Sequence, residues 1–140
     1  MDEVLRDRLI LLRNEMVYLK RERDQLQTFE AYRDDPRLRR AIERAIQVAI
    51  EMCLDIARRL ISLKTLRYPA DNQDAFRVLV EEGIVLPDLL PSLLDMARFR
   101  NLIVHDYARI DDAKVYVILQ KRLGDFDAYA AAITAYLEKA

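Results

Sequence analysis

Turn-forming residues are scarce in this sequence: its 140 residues include 2 Gly and 4 Pro, too few to punctuate the many short strands of a sheet-rich fold. The single cysteine, Cys53, excludes an intramolecular disulfide and points to a reducing compartment, with the cytoplasm as the expected location. A charge excess of one sign is missing as well. Lys+Arg number 23 against Asp+Glu 24, a net charge of -1, so no global basic field advertises nucleic acid and any RNA contact has to come from a local patch. No apolar run approaches the roughly 18 uncharged residues of a membrane span. The start, Met1-Asp2-Glu3-Val4-Leu5-Arg6, lacks the basic region and apolar stretch of a leader. The expectation is a soluble, unprocessed chain with no membrane association.

What is present is helical pattern. With 52% hydrophobic and 34% charged residues the chain is far from disordered, and its length suits one domain, residues 1–140, that buries about two thirds of its unfolded surface. Leu5, Leu9, Leu12, Met16 and Leu19, continued by Leu26, form an apolar stripe on a helix of roughly 25 residues. Asp34-Asp35-Pro36 breaks that pattern and caps a second helix, expected to run to about Thr65, whose stripe is Ile42, Ile46, Ala49, Cys53, Ile56, Leu60 and Leu63. Phe76, Leu79 and Val80 predict a short helix closed by Gly83. A further helix from about Leu89 carries Leu93, Leu94, Ala97, Asn101 and Val104. A last one, from about Asp112 to Glu138, is expected to kink at Gly124. An all-α fold follows, an antiparallel four-helix bundle with one additional short helix.

Chemistry is concentrated at one place. The only histidine, His105, follows Arg100 by five residues and precedes Tyr107 by two. An imidazole that exchanges protons near neutral pH and a permanently charged guanidinium suit phosphodiester cleavage. On residue types alone, a histidine near a helix end is more often structural. On an ideal helix Arg100 and Tyr107 share a face, whereas Arg100 and His105 lie about 140° apart. Either the helix ends near His105 or a second subunit completes the site.

The run Arg100-Asn101-Leu102-Ile103-Val104-His105-Asp106-Tyr107 resembles the Arg-x4-His-x-Tyr signature of HepT-like HEPN proteins, including the Asn after the Arg. The stretch Glu51-Met52-Cys53-Leu54-Asp55-Ile56-Ala57, the Phe76 helix and the final amphipathic helix are similarly placed, so the resemblance covers essentially the whole chain. It implies a HEPN fold that acts as a homodimer, and a toxin of a type VII toxin–antitoxin pair. The implied activity is metal-independent endoribonuclease cleavage with Arg100 and His105 as the catalytic pair, leaving a 2′,3′-cyclic phosphate. The implied partners are a second copy, an RNA substrate and an MntA-type nucleotidyltransferase antitoxin, which moves AMP from ATP to Tyr107. No cofactor and no metal are implied, although Asp106, Asp111 and Asp112 leave a weak divalent-ion site conceivable. In the inhibitory logic that follows, AMP on Tyr107 competes with RNA phosphate for Arg100.

Supporting candidates are Asn101, Glu51 and Asp55. The last two, four apart beside the apolar stripe, would orient Arg100 or His105, or simply pair with Arg58 or Arg59. The cluster Arg37, Arg39, Arg40 and Arg44 reads most plainly as a solvated helix start, and Cys53 as core. The alternative function is a non-catalytic nucleotide- or substrate-binding subunit partnered with a minimal nucleotidyltransferase, and a third is a structural adaptor.

Overall fold

A computed structural model of the chain describes residues 1–139, and among these every regular element is helical. The elements are α1 (Glu3–Gln25), α2 (Phe29–Arg33), α3 (Pro36–Leu63), α4 (Asn72–Glu81), α5 (Leu90–His105), α6 (Asp112–Lys121) and α7 (Leu123–Lys139). Two single 3-10 turns, Pro87–Leu89 and Tyr107–Arg109, precede and follow α5.

Five of the seven helix starts have a side-chain cap. Asp2, Thr28, Asp35, Asp71 and Asp111 stand at the N-caps of α1, α2, α3, α4 and α6, and each side chain accepts a hydrogen bond from a free backbone N–H of the first turn. Pro36 adds a preset φ to the first turn of α3. At the end of α4, Gly83 takes φ 71° and the Ile84 N–H reaches back to the Leu79 carbonyl, a closure that favours glycine.

The stripes of α1 and α3 pack as their spacing predicts. Leu5, Leu9, Leu12, Met16 and Leu19 are all buried, and α3 is buried around most of its circumference because α1, α2, α4, α5 and α7 all lie against it. Polar cross-links give the directions. Arg59 donates to Asp2 and Arg8 to Asp55, so α1 and α3 are antiparallel. Arg13 donates to Thr134, and Lys20 pairs with Asp127, so α1 and α7 are antiparallel too. Phe76 of α4 meets the Tyr129 ring edge-on at 5.7 Å, and the Tyr129 hydroxyl donates to the Cys53 carbonyl at 2.8 Å. Cys53 is core as expected, and burial pushes its thiol well above the usual range, which leaves it unreactive.

Four expectations need correction. The five-residue α2 was not foreseen, because it is shorter than the helical period can reveal. Helix α3 stops at Leu63, two residues early, with Thr65 in the left-handed region at φ 53° and Leu63 exposed. The apolar face of α5 is Leu93, Met96, Ala97, Phe99 and Ile103; Asn101 is half-buried and Val104 exposed. The last helix does not bend at Gly124. It breaks at Arg122, whose backbone leaves the helix (φ -116°, ψ 1°) while its side chain donates to Ser92 on α5 and Asp125 on α7.

Two predictions follow for stability. Because Gly124 is helical and a methyl group there meets nothing within 4 Å, Gly124→Ala is expected to raise unfolding free energy by about 0.5–1 kcal/mol, whereas Gly83→Ala lowers it. Urea unfolding of both variants checks this pair. The second concerns acid. Arg59 and a backbone N–H hold Asp2 down at about 2, and Arg67, bidentate on Asp74, holds that carboxyl well below the usual range. Their folded pKa values are depressed, so their stabilisation is complete above the unfolded value of about 4 and is lost as pH falls below it. The melting temperature is therefore expected to drop between about pH 4 and pH 2, and Arg67→Met to shrink that drop.

Candidate active site

Helix α5 runs antiparallel to α3, which sets Arg100 against Glu51 and delivers the residues after His105 to Glu43. Arg100 lies on the flank of α5, half-buried. Its Nε is 3.7 Å from Glu51 Oε1 and has no hydrogen-bond partner among the described residues, while Nη1 reaches Asn101 Oδ1 only at 3.5 Å. Glu51 is engaged elsewhere, accepting from Gln47 at 2.8 Å. An ion pair this long between half-exposed side chains contributes about 0–1 kcal/mol. A phosphate that took two charge-assisted hydrogen bonds, each about 1.5–3 kcal/mol, would displace it readily.

Arg100 opens onto a shallow polar depression that Glu51, Leu54, Asp55, Arg58 and Asn72 also line. The two supporting carboxylates thus separate. Glu51 faces Arg100; Asp55 lines the same depression but pairs with Arg8 at 3.0 Å. Neither pairs with Arg58 or Arg59, which go to Asn72 and Asp2. A separate, more apolar cleft between α5, α6 and α7, lined by Met96, Phe99, Val117 and Phe126 among others, contains none of the predicted site residues.

His105 is the last residue of α5 and is exposed, with no hydrogen bond or ion pair among the described residues. The Asp106 N–H still bonds the Leu102 carbonyl, but the Asp106 backbone departs to φ -150°, ψ 54° and the helix ends. Since α5 is regular through His105, the divergence of about 140° between Arg100 and His105 persists within one chain. No hydrogen bond or ion pair joins the two among the described residues.

Tyr107 is corrected more strongly. It is not on α5 and does not share the face of Arg100. It sits on the 3-10 turn after Asp106, 54% exposed, and its hydroxyl donates to Glu43 Oε1 of α3 at 2.5 Å. That hydrogen bond and partial burial raise the phenol above its usual pKa, with Arg40 and Arg39 pulling the other way. Arg39 itself is engaged with Asp112 and the Arg33 carbonyl, and Arg40 is exposed. The cations beside the phenol are therefore two members of the α3 arginine cluster, and competition for Arg100 in the same chain is not supported.

Glu43 was missed in the sequence. It lies among the arginines that read as a solvated helix start, yet it is 6% exposed. The signal was available: Glu43, Ile50, Leu54, Ala57 and Ile61 follow one another at helical spacing, a second buried line headed by a carboxylate. Asp106, Asp111 and Asp112 do not converge on a cation, being held by Arg109, the α6 cap and Arg39, and no group of three or more His, Cys, Asp or Glu among the described residues is placed to hold a metal ion.

The motif geometry can be set beside known proteins. A family model described as "Ribonuclease HepT-like" matches residues 12–133. The chain is 28% identical over 104 residues to the mRNA nuclease HepT of Shewanella oneidensis, covering 74% of this chain and 78% of that one. It is 27% identical over 95 residues to the tRNA nuclease HepT of Aphanizomenon flos-aquae, covering 68% and 65%. Among solved structures, the tri-AMPylated HEPN toxin of Shewanella oneidensis in complex with its MNT antitoxin superposes with a TM-score of 0.86 at 22% identity, over 96% of this chain and 99% of the toxin. That likeness shows the fold to be the HEPN fold. With the family model spanning all but the ends of the chain, this protein belongs to the ribonuclease HepT-like family.

Proposed function

We propose that this chain is the toxin of a type VII toxin–antitoxin pair, an endoribonuclease with Arg100 and His105 as its catalytic groups, silenced when Tyr107 accepts AMP from an MntA-type nucleotidyltransferase. The observation that carries the reading is the state of the two groups in a chain of this family. Arg100 holds its guanidinium loosely over an open polar depression, and His105 stands exposed and unpaired among the described residues at the end of the same helix.

In cleavage, the ribose 2′-oxygen attacks the adjacent phosphorus, and the bond to the 5′-oxygen of the next nucleotide breaks, leaving a 2′,3′-cyclic phosphate. His105 moves a proton at the 2′-hydroxyl or at the leaving 5′-oxygen. Arg100 binds the scissile phosphate and meets the charge that builds on it. Because the two side chains diverge on α5, the complete site is a pairing between subunits of a homodimer, Arg100 of one chain with the partner's His105. The antitoxin and the RNA then meet the same corner. AMP on Tyr107 stands two residues from His105 and beside Arg39 and Arg40, where it adds bulk and negative charge in the path of the RNA backbone. The site of action is the cytoplasm, and no helix of the described residues is long and apolar enough to cross a membrane.

Purified protein with a labelled RNA oligonucleotide tests this reading. His105→Ala and Arg100→Ala are each expected to slow cleavage by about 100-fold or more. Both should leave the melting temperature near that of the parent, since neither side chain belongs to the core. Mass spectrometry of the products is expected to find 2′,3′-cyclic phosphate ends, and EDTA to leave the rate unchanged. Cleavage that persists in both variants contradicts the assignment. Co-expression with the nucleotidyltransferase is expected to add whole multiples of AMP to Tyr107.

A further inference from the structure

Two carboxylates are buried in the described part of the molecule, and they differ in how they are held. Asp74 has a bidentate ion pair with Arg67 and a hydrogen bond from the Ala70 N–H, so its burial is compensated by a cation and a donor. Glu43 has no ion pair among the described residues; its hydrogen bond comes from the phenol of Tyr107. Tyr32 lies fully buried nearby, its hydroxyl without a partner among the described residues and its phenol raised by burial and by the charge of Glu43. A buried carboxylate that no ion pair compensates is a costly choice on a helix where an apolar residue could stand.

We propose that Glu43 is the general base of adenylyl transfer to Tyr107, an inference that rests on the reading of Tyr107 as the residue that accepts AMP. The Tyr107 oxygen attacks the α-phosphorus of ATP, forming the new O–P bond. The bond from that phosphorus to the bridging oxygen breaks and pyrophosphate leaves with the electron pair. The phenolic proton passes to Glu43 Oε1, to which the hydroxyl already donates at 2.5 Å. The arrangement suits the step, because the ring is half-exposed and open to a nucleotide from solvent while the proton acceptor is buried behind the hydroxyl. A raised phenol pKa leaves little phenolate near neutral pH, so the proton has to depart as the O–P bond forms, and a fixed acceptor removes the need for prior ionisation. After transfer the oxygen carries no hydrogen, and the bond to Glu43 cannot re-form.

The test uses the isolated chain and a chemical AMP donor, adenosine 5′-phosphorimidazolide, whose leaving group is imidazole. Peptide mass spectrometry compares AMP on Tyr107 with AMP on Tyr68, which is 87% exposed and serves as an internal reference. In the parent protein at pH 7, Tyr107 is expected to exceed Tyr68 by about 10-fold or more. Glu43→Gln keeps the size and an acceptor oxygen but cannot take the proton, and it is expected to bring the ratio to about one or lower. Glu43→Asp is expected to recover part of the excess, which a purely structural role would not produce. A parent ratio at or below one, a Tyr107 that takes no AMP, or a ratio unchanged in Glu43→Gln overturns the proposal. The last of these leaves the reading of Tyr107 as acceptor standing, whereas a Tyr107 that stays bare beside its nucleotidyltransferase overturns that reading itself.

Discussion

At Asp106 the backbone of α5 leaves the helical region, and this departure decides where each chemical group of the motif can reach. Had the helix continued, Tyr107 would have stood on the same face as Arg100. Because it ends, the chain turns through Tyr107–Arg109 and lays the phenol against α3, where Glu43 receives it. His105 is left at the tip, exposed, and Arg100 remains on the flank over the depression beside Glu51. Three residues within one motif thus acquire three environments: a loosely held cation, a free imidazole and a phenol hydrogen-bonded to a buried carboxylate.

Helix α3 is the element against which this division is built. Five other helices pack on it, so most of its circumference is core, and Glu43 and Glu51, on the line facing α5, are the carboxylates the motif meets. Glu43 and Glu51 are two turns apart on that line. The antiparallel course of α5 pairs the earlier of them with the later motif residue and the later with Arg100. Under the proposed function, catalysis and its control fall on neighbouring stretches of one helix pair, and AMP on Tyr107 would alter the corner beside His105 without disturbing the packing of Leu93, Met96, Ala97, Phe99 and Ile103 that holds α5.

Much of this was legible in the sequence where a regular period met a strong cap. The stripes of α1 and α3 and the cap before Pro36 are local signals, and the structure repeats them. The features that escaped depend on tertiary partners. The break at Arg122 is fixed by Ser92, thirty residues away in sequence, and no glycine or proline marks it. The five residues of α2 are too few for a period. For the candidate site, the family resemblance singled out Arg100, His105 and Tyr107, but the direction of Tyr107 is set by Glu43, sixty-four residues earlier, to which the sequence reading assigned no role.

If Arg100 and His105 are the catalytic pair, as proposed, their divergence makes the sharpest demand on the molecule, because it predicts that one chain does not cut RNA alone. Differently tagged Arg100→Ala and His105→Ala chains, co-expressed and purified as a mixed dimer, measure this directly. A mixed dimer keeps one site in which an intact Arg100 faces the partner's His105, so RNA cleavage is expected to return to about half the parental rate per dimer, while each variant homodimer stays inactive. A mixed dimer as inactive as its parents would contradict the composite site and place both groups in the same chain.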